Sequence, residues 1–345
     1  MPSRLRAIDI FCGCGGVTTG LKAAGFRVLA GIENAAAPAE AFRLNHPDVR
    51  LIQSDIRCIP AEETLVGLAL RPGELDLLAG CSPCQGFSRL RTRNRGRAAD
   101  DDRNDLILEF IRFAEALLPK TVLIENVPGL VHDSRFTDLV IGLEGLGYSV
   151  AASVLDLSEF GVPQRRKRLI LLASRSQLMP MPRPGRIRKT VRTVIGHLSQ
   201  PAKSTDPLHK SVTRHSKPVL HKIGRIPRNG GSRIDLGPAG QLACHRRLEG
   251  FWDVYGRMSW DEPSPTITRF SFNPSKGRYL HPSQDRAITL REAALLQTLP
   301  VGYKFPLARY GRGAVASMIG EALPPAFVTH LGRHIAARLR ARGSS

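Results

Sequence analysis

Short apolar runs recur along the first half of the chain at the spacing of an alternating strand and helix fold. The sequence between two of these runs, residues 104–118, carries apolar side chains at helical spacing, and residues 17–25 and 139–146 predict two further helices. Strands that alternate with helices favour an α/β fold. The predicted strands are residues 6–11, 27–32, 51–56, 75–79, 121–127, 149–155 and 169–173.

A glycine-rich turn, Cys12-Gly-Cys-Gly-Gly16, follows the first predicted strand. Its glycines permit a tight turn and the close approach of a ligand to the backbone. Glu33 ends the second strand about 20 residues further on, where an acid is placed to bind ribose hydroxyls. Asp55, at the end of the third strand, is placed to accept a hydrogen bond from an adenine amino group. A glycine turn alone is common in loops, and a solvent-facing role for Glu33 stays open.

A cysteine-containing turn follows the predicted strand 75–79. It reads Gly80-Cys-Ser-Pro-Cys-Gln-Gly-Phe-Ser88, and α/β folds place their chemistry at the carboxyl ends of such strands. Pro83 restricts the backbone before Cys84, and Gly86 permits close approach of a ligand. We therefore interpret Cys84 as a nucleophile.

Two other interpretations of these cysteines remain open at this point. A buried cysteine is commonly only a small core residue. Cys81 and Cys84 also have the spacing of a redox pair, and together with Cys12 and Cys14 they could supply four sulfur ligands to zinc. The single residue between Cys12 and Cys14 is poor spacing for a metal site, so we predict no metal.

Charged side chains lie where a buried strand would not tolerate them without a function. Glu125 ends the strand 121–127, and a buried charge is costly without a partner. Four consecutive cations, residues 165–168, enter the strand 169–173 and indicate an anionic or hydrogen-bond-accepting ligand. The polar segment 89–103 lacks a hydrophobic period and predicts a mobile loop with a basic first half, suited to phosphates.

Charge is distributed unevenly along the 345 residues. Residues 1–150 have a net charge of −2, whereas residues 151–345 carry +22. A basic surface of this size favours a polyanionic partner, most simply nucleic acid; a merely solubilising surface is the alternative. No apolar run reaches the roughly 18–20 residues of a membrane span. Six cysteines in so long a chain favour a reduced, cytoplasmic protein.

A proline-rich segment, residues 179–185, marks a domain boundary. The basic region that begins at Arg175 and ends at Arg257 has no clear periodicity and predicts a small, loop-rich lobe, in which residues 224–233 are favoured for DNA contact. Regular patterning then returns. Thr289 and Glu292 predict a capping box for a helix over 289–298, and residues 326–339 predict the last helix.

Five stretches of the chain, in this order, resemble the motifs of the DNA (cytosine-5) methyltransferase family. The resemblance implies an α/β fold with a Rossmann-like methyltransferase sheet, helices on both faces, and a small loop-rich target-recognition lobe. It divides the chain into a catalytic domain (1–174), a target-recognition region (175–257) and a C-terminal return to the catalytic domain (258–345). The stretches are 9–16, 83–88, 125–127, 164–168 and 286–294.

The resemblance implies that S-adenosylmethionine is the cofactor. Phe11 would pack on its adenine, Glu33 would bind its ribose, and Asp55 with Ile56 would hold the base. The complete implied set of cofactor-binding residues is Phe11, Gly13, Gly15, Gly16, Glu33, Asp55, Ile56, Pro83 and Glu321.

The resemblance also assigns catalytic roles. Cys84 would attack carbon 6 of a cytosine flipped out of duplex DNA. Glu125 would hydrogen-bond or protonate ring nitrogen 3, Arg168 would contact the base oxygen, and Arg166 would support the loop that carries Cys84. The predicted DNA-contact residues are Gln85, Ser88, Arg89, Arg91, Arg93, Gln164, Arg165, Arg228 and Arg233.

The expected partner is therefore double-stranded DNA. The resemblance implies a monomer in the cytoplasm, associated with the nucleoid through DNA binding and compatible with pairing to a restriction endonuclease. No membrane association is predicted.

One residue departs from the family pattern. Glu321 occupies a position where the family usually has Asn, near the cofactor and the Cys84 loop, so we expect reduced activity or altered cofactor handling. This departure keeps open a regulatory DNA-binding protein with an impaired site. An RNA cytosine-5 methyltransferase is a further alternative, although the continuation Gly86-Phe-Ser88 favours DNA. A thiol oxidoreductase that uses Cys81 and Cys84 is the last.

Overall fold

The computed structural model describes residues 4–83, 102–176, 178–185, 188–240 and 253–342. The chain divides into two compact units. The first is formed within residues 1–157, 167–184 and 323–345, and the second within residues 158–166 and 185–322. The division after Pro184 lies inside the proline-rich segment, and residues 258–322 group with the basic region that precedes them.

The first unit contains a seven-stranded sheet in the order β3-β2-β1-β4-β5-β7-β6. The pairs among β1 to β5 are parallel, whereas β7 runs antiparallel to both β5 and β6. The strands are β1 Arg6–Ile10, β2 Arg27–Ile32, β3 Arg50–Ile52, β4 Leu77–Gly80, β5 Thr121–Asn126, β6 Ser149–Asp156 and β7 Lys167–Ser174.

The α-helices of the described residues differ in length between the two units. Those of the second unit, α6 to α10, are mostly short. The helices are α1 Gly16–Ala23, α2 Ala36–Asn45, α3 Ala61–Gly67, α4 Glu109–Leu117, α5 Ser134–Gly145, α6 Val191–Ile195, α7 Pro207–Lys210, α8 Lys217–Arg225, α9 Leu290–Leu296, α10 Leu307–Glu321 and α11 Pro325–Arg342.

Helices cover both faces of the sheet, and the predicted α/β fold is confirmed. On one face, Ile8 and Ile124 belong to the buried cluster that contains Phe110 of α4. The next side chain of β1 points to the other face, because side chains alternate along a strand. There Asp9 accepts a hydrogen bond of 2.6 Å from the Thr18 hydroxyl of α1, and α1 packs against α11.

The second unit is organised around buried polar groups as well as apolar ones. Arg257 has no exposed surface, and its guanidinium donates to four backbone carbonyls and to one carboxylate. Buried charges are tolerated when their hydrogen-bonding capacity is satisfied in this way. The acceptors are the carbonyls of Ile223, Ile226, His281 and Gln284 and the carboxylate of Asp285.

The predicted capping box of α9 is confirmed. The Thr289 hydroxyl accepts from the Glu292 amide at 3.1 Å, and the Glu292 carboxylate accepts from the Thr289 amide at 2.7 Å. The same carboxylate forms a forked ion pair with Arg286, with two distances of 2.7 Å. Glu292 is only 1% exposed, so this ion pair belongs to the core of the second unit.

Within the described residues, the helices are too short or too polar to cross a lipid bilayer.

Candidate active site

The ends of β4 and β5 bring two predicted site segments side by side in the first unit. Gly80 pairs with Ile124 in the parallel ladder, so Cys81 and Glu125 follow at the same edge of the sheet. A side chain at position 80 would not fit, because an added Cβ would lie 2.1 Å from the Ile10 carbonyl oxygen. The glycine therefore permits the close strand packing at this edge.

Glu125 lies at this edge in an ion pair with Arg168. The Arg168 Nε lies 2.7 Å from the Glu125 Oε1, and the two side chains are 15% and 9% exposed. Arg168 is the second residue of β7, and the antiparallel pairing of β5 with β7 brings the two positions together. A carboxyl group in this position is largely removed from water and held in one orientation by its partner.

Asn126 holds the segment that leads towards Cys84. Its amide nitrogen donates to the Ser82 hydroxyl at 3.1 Å and to the Ser82 carbonyl at 3.3 Å. Pro83 is the last residue described before the predicted nucleophile. The remaining predictions in this stretch lie outside the described residues; they are Cys84, Gln85, Ser88, Arg89, Arg91 and Arg93.

The Cys81 thiol is an unfavourable nucleophile in this environment. Burial raises its pKa well above the ordinary value, and the neighbouring carboxylate of Glu125 raises it further. Because thiolates, not thiols, attack disulfides and bind metals, a redox pair that uses Cys81 is disfavoured. Among the described residues, no group of three His, Cys, Asp or Glu side chains is placed to hold a metal ion.

The glycine turn after β1 is closed onto Glu33. The Gly13 amide donates to one carboxylate oxygen of Glu33 at 3.0 Å, and the Ala35 amide donates to the other at 2.7 Å. Gly13 and Gly15 have φ values of +54° and +97°, in the left-handed region that glycine adopts without strain. The sequence requirement for glycine in this turn therefore has a direct backbone cause.

Phe11 and Ile56, both predicted to bind the cofactor, follow strands β1 and β3 in the chain. Phe11 directly precedes the turn, with a positive φ of 58°, and its ring centroid lies 5.9 Å from that of Phe110. Ile56 is buried. Asp55 begins a short 3-10 turn and accepts from the Arg57 backbone amide and guanidinium, and these hydrogen bonds lower the pKa of Asp55.

Asp9 is a buried acid beside the turn to which sequence reasoning gave no role. Its Oδ2 accepts from the backbone amide and the hydroxyl of Thr18, whereas its buried Oδ1 has no hydrogen-bond partner among the described residues. Burial raises the pKa of Asp9 to about 7, although the Thr18 hydrogen bonds oppose the shift. An acid inside the apolar run 6–11 was the available sequence signal.

In the second unit, Arg166 is buried and braces two segments of backbone. It donates to the carbonyls of Ile267 and Gly320, each at 3.1 Å. An added Cβ at Gly320 would lie 2.3 Å from the Thr268 carbonyl carbon, so the residue before Glu321 must be glycine. Arg166 therefore holds the backbone segments that contain Ile267 and Gly320 in place.

Comparison with known proteins identifies the family. Residues 5–337 match the family model of the C-5 cytosine-specific DNA methylases. The chain belongs to this family. The resemblance predicted from the ordered motifs is confirmed, and the enzyme class is DNA (cytosine-5-)-methyltransferase.

Curated relatives of this C-5 cytosine-specific methylase support the same assignment. It is 36% identical to the type II methylase M.HgiDII of Herpetosiphon aurantiacus, with 96% of this chain and 94% of the relative covered. It is 32% identical to the type II methyltransferase M1.HphI of Haemophilus parahaemolyticus, with 93% and 84% covered.

Solved structures share the fold of this methylase. An Escherichia coli prophage-encoded chain described as a DNA modification methyltransferase matches with a TM-score of 0.74 and 20% identity, over 97% of this chain and 99% of that one. The DNMT2 of Spodoptera frugiperda matches with a TM-score of 0.68 and 14% identity, over 96% and 99%. The predicted Rossmann-like methyltransferase architecture is thereby confirmed.

The DNA-contact residues predicted in the methylase's second unit differ in how far their side chains are exposed. Gln164 has no exposed surface and donates to the Gln297 side chain at 2.6 Å, and Arg233 is 4% exposed. Neither side chain offers a surface for DNA, and we do not retain them as contacts. Arg165 and Arg228 are about half exposed, in ion pairs with Glu262 and Asp285, and remain candidates.

Glu321 ends helix α10 and is exposed. The surrounding protein still removes enough solvent to raise the pKa of its carboxyl group, whereas the charges of Arg269 and Arg166 act in the opposite direction. Two cations thus partly compensate the negative charge of Glu321.

Proposed function

We propose that this enzyme transfers a methyl group from S-adenosylmethionine to carbon 5 of a cytosine flipped out of a short double-stranded DNA sequence, through a covalent adduct with Cys84. The observation that carries the proposal is the Glu125–Arg168 ion pair at the end of β5, beside the segment that leads to Cys84. An oriented, largely buried carboxyl group at this position suits proton transfer to a bound base.

The chemistry follows from the electron demand of cytosine. Carbon 5 is a poor nucleophile, but addition of the Cys84 thiolate to carbon 6 makes it enamine-like. Glu125 protonates or hydrogen-bonds ring nitrogen 3 as this addition proceeds, and Arg168 both orients Glu125 and contacts the base oxygen. Carbon 5 would then take the methyl group as the bond from that group to the cofactor sulfur breaks, and S-adenosylhomocysteine would leave as a neutral thioether. A base removes the carbon 5 proton, the Cys84 thiolate leaves, and the proton at ring nitrogen 3 returns to Glu125, which restores the aromatic ring and the free enzyme.

The glycine turn and its surroundings fit the cofactor, which supplies a methyl group on a positively charged sulfur. Glu33, already placed by two backbone amides, binds ribose hydroxyls, and Phe11 packs on the adenine. The Asp55 carboxylate and Ile56 hold the base. The uncompensated Asp9 Oδ1 is a polar atom at this site for which a bound group would provide a partner.

The target base must leave the duplex, because carbons 5 and 6 are stacked inside intact DNA. In this proposal the basic second unit recognises the DNA sequence. The enzyme acts as a monomer in the cytoplasm and is associated with the nucleoid because it binds duplex DNA. The relatives named as type II methylases favour a role beside a restriction endonuclease.

Purified protein tests the reaction directly. Transfer of labelled methyl groups is measured from S-adenosylmethionine to duplex DNA, single-stranded DNA and transfer RNA, with Cys84→Ala as the inactive control. We expect label in duplex DNA alone and none with the Cys84→Ala variant. Label in RNA would support the RNA alternative, and full activity of Cys84→Ala would contradict the covalent route.

Replacement of Glu321 tests the regulatory alternative. Glu321→Asn is expected to raise kcat/KM for the cofactor by up to about tenfold, which corresponds to roughly 1.4 kcal/mol of barrier. The reason is that the family resemblance implies a position near the cofactor for residue 321, where a second negative charge would repel the cofactor carboxylate. The difference in kcat/KM between Glu321→Asn and the wild type should become smaller as the pH falls through the raised pKa of Glu321, since the wild-type side chain then becomes neutral. An unchanged rate and cofactor affinity at all pH values would show that Glu321 does not impair the enzyme. The control is Glu62→Gln, which removes an exposed acid from α3 and should leave both quantities unchanged.

A further inference from the structure

The segment 226–231, here called the recognition loop, is held rigidly in the second unit. The Arg257 guanidinium donates to the Ile226 carbonyl at 3.1 Å at one end, and Arg278 donates to the Gly230 carbonyl at 2.6 Å at the other. Between them, the Asn229 amide donates to the Pro282 carbonyl at 2.9 Å. A loop fixed by tertiary hydrogen bonds presents its side chains from a defined backbone.

Two glycines allow this loop conformation. Gly230 has a φ of +102°, and an added Cβ there would lie 2.5 Å from the Ser259 hydroxyl. An added Cβ at Gly231 would lie 2.4 Å from the Pro227 carbonyl oxygen. The paired glycines are therefore required for the tight turn that follows Arg228.

Arg228 projects from this loop and is itself oriented. Its two terminal nitrogens lie 2.7 and 2.8 Å from the two carboxylate oxygens of Asp285. Asp285 also accepts a hydrogen bond from the fully buried Arg257, so the core of the second unit holds this carboxylate in place. Burial opposes ionisation of Asp285, but the hydrogen bonds from both arginines lower its pKa, and the fork remains charged at neutral pH.

The fork with Asp285 uses only one edge of the Arg228 guanidinium. Arginine has five N–H donors, and the Nε edge makes no hydrogen bond within the described part of the chain. The side chain is 47% exposed. A guanidinium with one edge fixed and the other open is suited to the paired O6 and N7 acceptors of guanine, which arginine reads in the major groove.

We propose that Arg228 determines sequence specificity by reading a guanine in the target site, with Asp285 as its positioning residue. This inference rests on the proposed DNA methylation and names the base that one residue recognises. Prior orientation lowers the entropy cost of binding. It also distinguishes Arg228 from a phosphate-binding arginine, which needs charge but no fixed fork.

Methylation of a randomised duplex library, sequenced at base resolution, tests the proposal. Wild type is compared with Arg228→Lys, which keeps the charge but loses the fork, with Arg228→Ala, and with Asp285→Asn. Arg192→Ala is the matched control, because Arg192 also forms a fork, with Asp261 at 2.6 and 2.8 Å. That fork occupies the Nε edge of Arg192 and is not anchored by a buried arginine among the described residues. The Arg228 variants do not alter the acceptors of the Arg257 hydrogen bonds to backbone, so we expect them to fold, and thermal unfolding of each variant checks this.

Both Arg228 variants are expected to relax selection for guanine at one position of the site by about tenfold to a hundredfold, with the flanking positions unchanged. Asp285→Asn should relax the same position to a smaller extent, and Arg192→Ala should leave the site unaltered. Equal loss of methylation at all sequences, with a smaller salt dependence of binding, would show a phosphate contact and overturn the proposal. An unchanged site would also overturn it, whereas absence of methylation by the wild type would instead contradict the proposed function.

Discussion

Glu125→Gln is expected to lower the rate of methyl transfer by about 10²- to 10⁴-fold, the range in which general acid catalysis contributes. Glutamine is nearly the same size and can still donate a hydrogen bond, but it cannot deliver a proton to ring nitrogen 3. It also cannot pair with the charge of Arg168, which lies 2.7 Å from the carboxylate in a largely buried position. The measurement is single-turnover methyl transfer at saturating cofactor and DNA.

A matched control separates this effect from a general loss of structure. Glu115→Gln removes an exposed carboxylate from α4 and should leave the rate unchanged. Thermal unfolding shows whether Glu125→Gln remains folded, and cofactor binding should be retained because the glycine turn is not altered. A folded Glu125→Gln variant with a rate within about twofold of wild type would exclude Glu125 as the acid.

Glu292→Ala is expected to lower the free energy of unfolding by about 3–5 kcal/mol, the cost of breaking a buried ion pair by removing one partner. The substitution leaves Arg286, only 8% exposed, without its carboxylate. It also removes the acceptor for the Thr289 amide at the start of α9. Urea denaturation followed by fluorescence measures the change.

The control for this prediction is an exposed ion pair. Glu262 contacts Arg165 at 2.6 Å, but both side chains are about half exposed, and such pairs contribute about 0–1 kcal/mol. Glu262→Ala should therefore alter the unfolding midpoint little. Equal effects of the two substitutions would show that the Arg286–Glu292 pair is not part of the core that stabilises the second unit.

The same region should make stability sensitive to acid. Arg286 holds the pKa of Glu292 below its ordinary value of 4.5 despite burial, so the contribution of this pair is complete above that value and is lost as the pH falls through the lower, folded-state pKa. Burial lowers the pKa of the adjacent His281 to about 4. Its contribution is therefore lost progressively between about pH 6.5 and 4.

The local elements of the first unit could be predicted more fully than the order and the directions of its strands. Apolar runs located β1, β2 and β5 to within about a residue, because a buried strand needs a continuous apolar sequence. The predicted strand 51–56 was too long, since β3 ends at Ile52 and the side chain of Asp55 caps a 3-10 turn. The reversed direction of β7 has no local signal, because a buried strand has the same composition in either direction.

Residues of the candidate site could be predicted where a single side chain was unusual for its place in the sequence. Glu125 stood out as a charge at the end of a buried strand. Its pairing with Arg168 joins residues 43 positions apart and depends on the sheet order. Asp9 and Arg257 were missed for a related reason: their burial depends on tertiary packing, and the sequence around them does not distinguish a buried charge from an exposed one.

The most direct test of the central claim is base-resolution mapping of 5-methylcytosine in DNA from cells that express this chain, with the Cys84→Ala variant expressed to the same level. We expect methylation of one cytosine in one short sequence, complete in the wild type and absent in the variant. The same methylation in both would contradict the assignment of Cys84 as the nucleophile. Absence of methylation with wild-type protein that is folded and binds S-adenosylmethionine would contradict the proposed DNA methyltransferase activity.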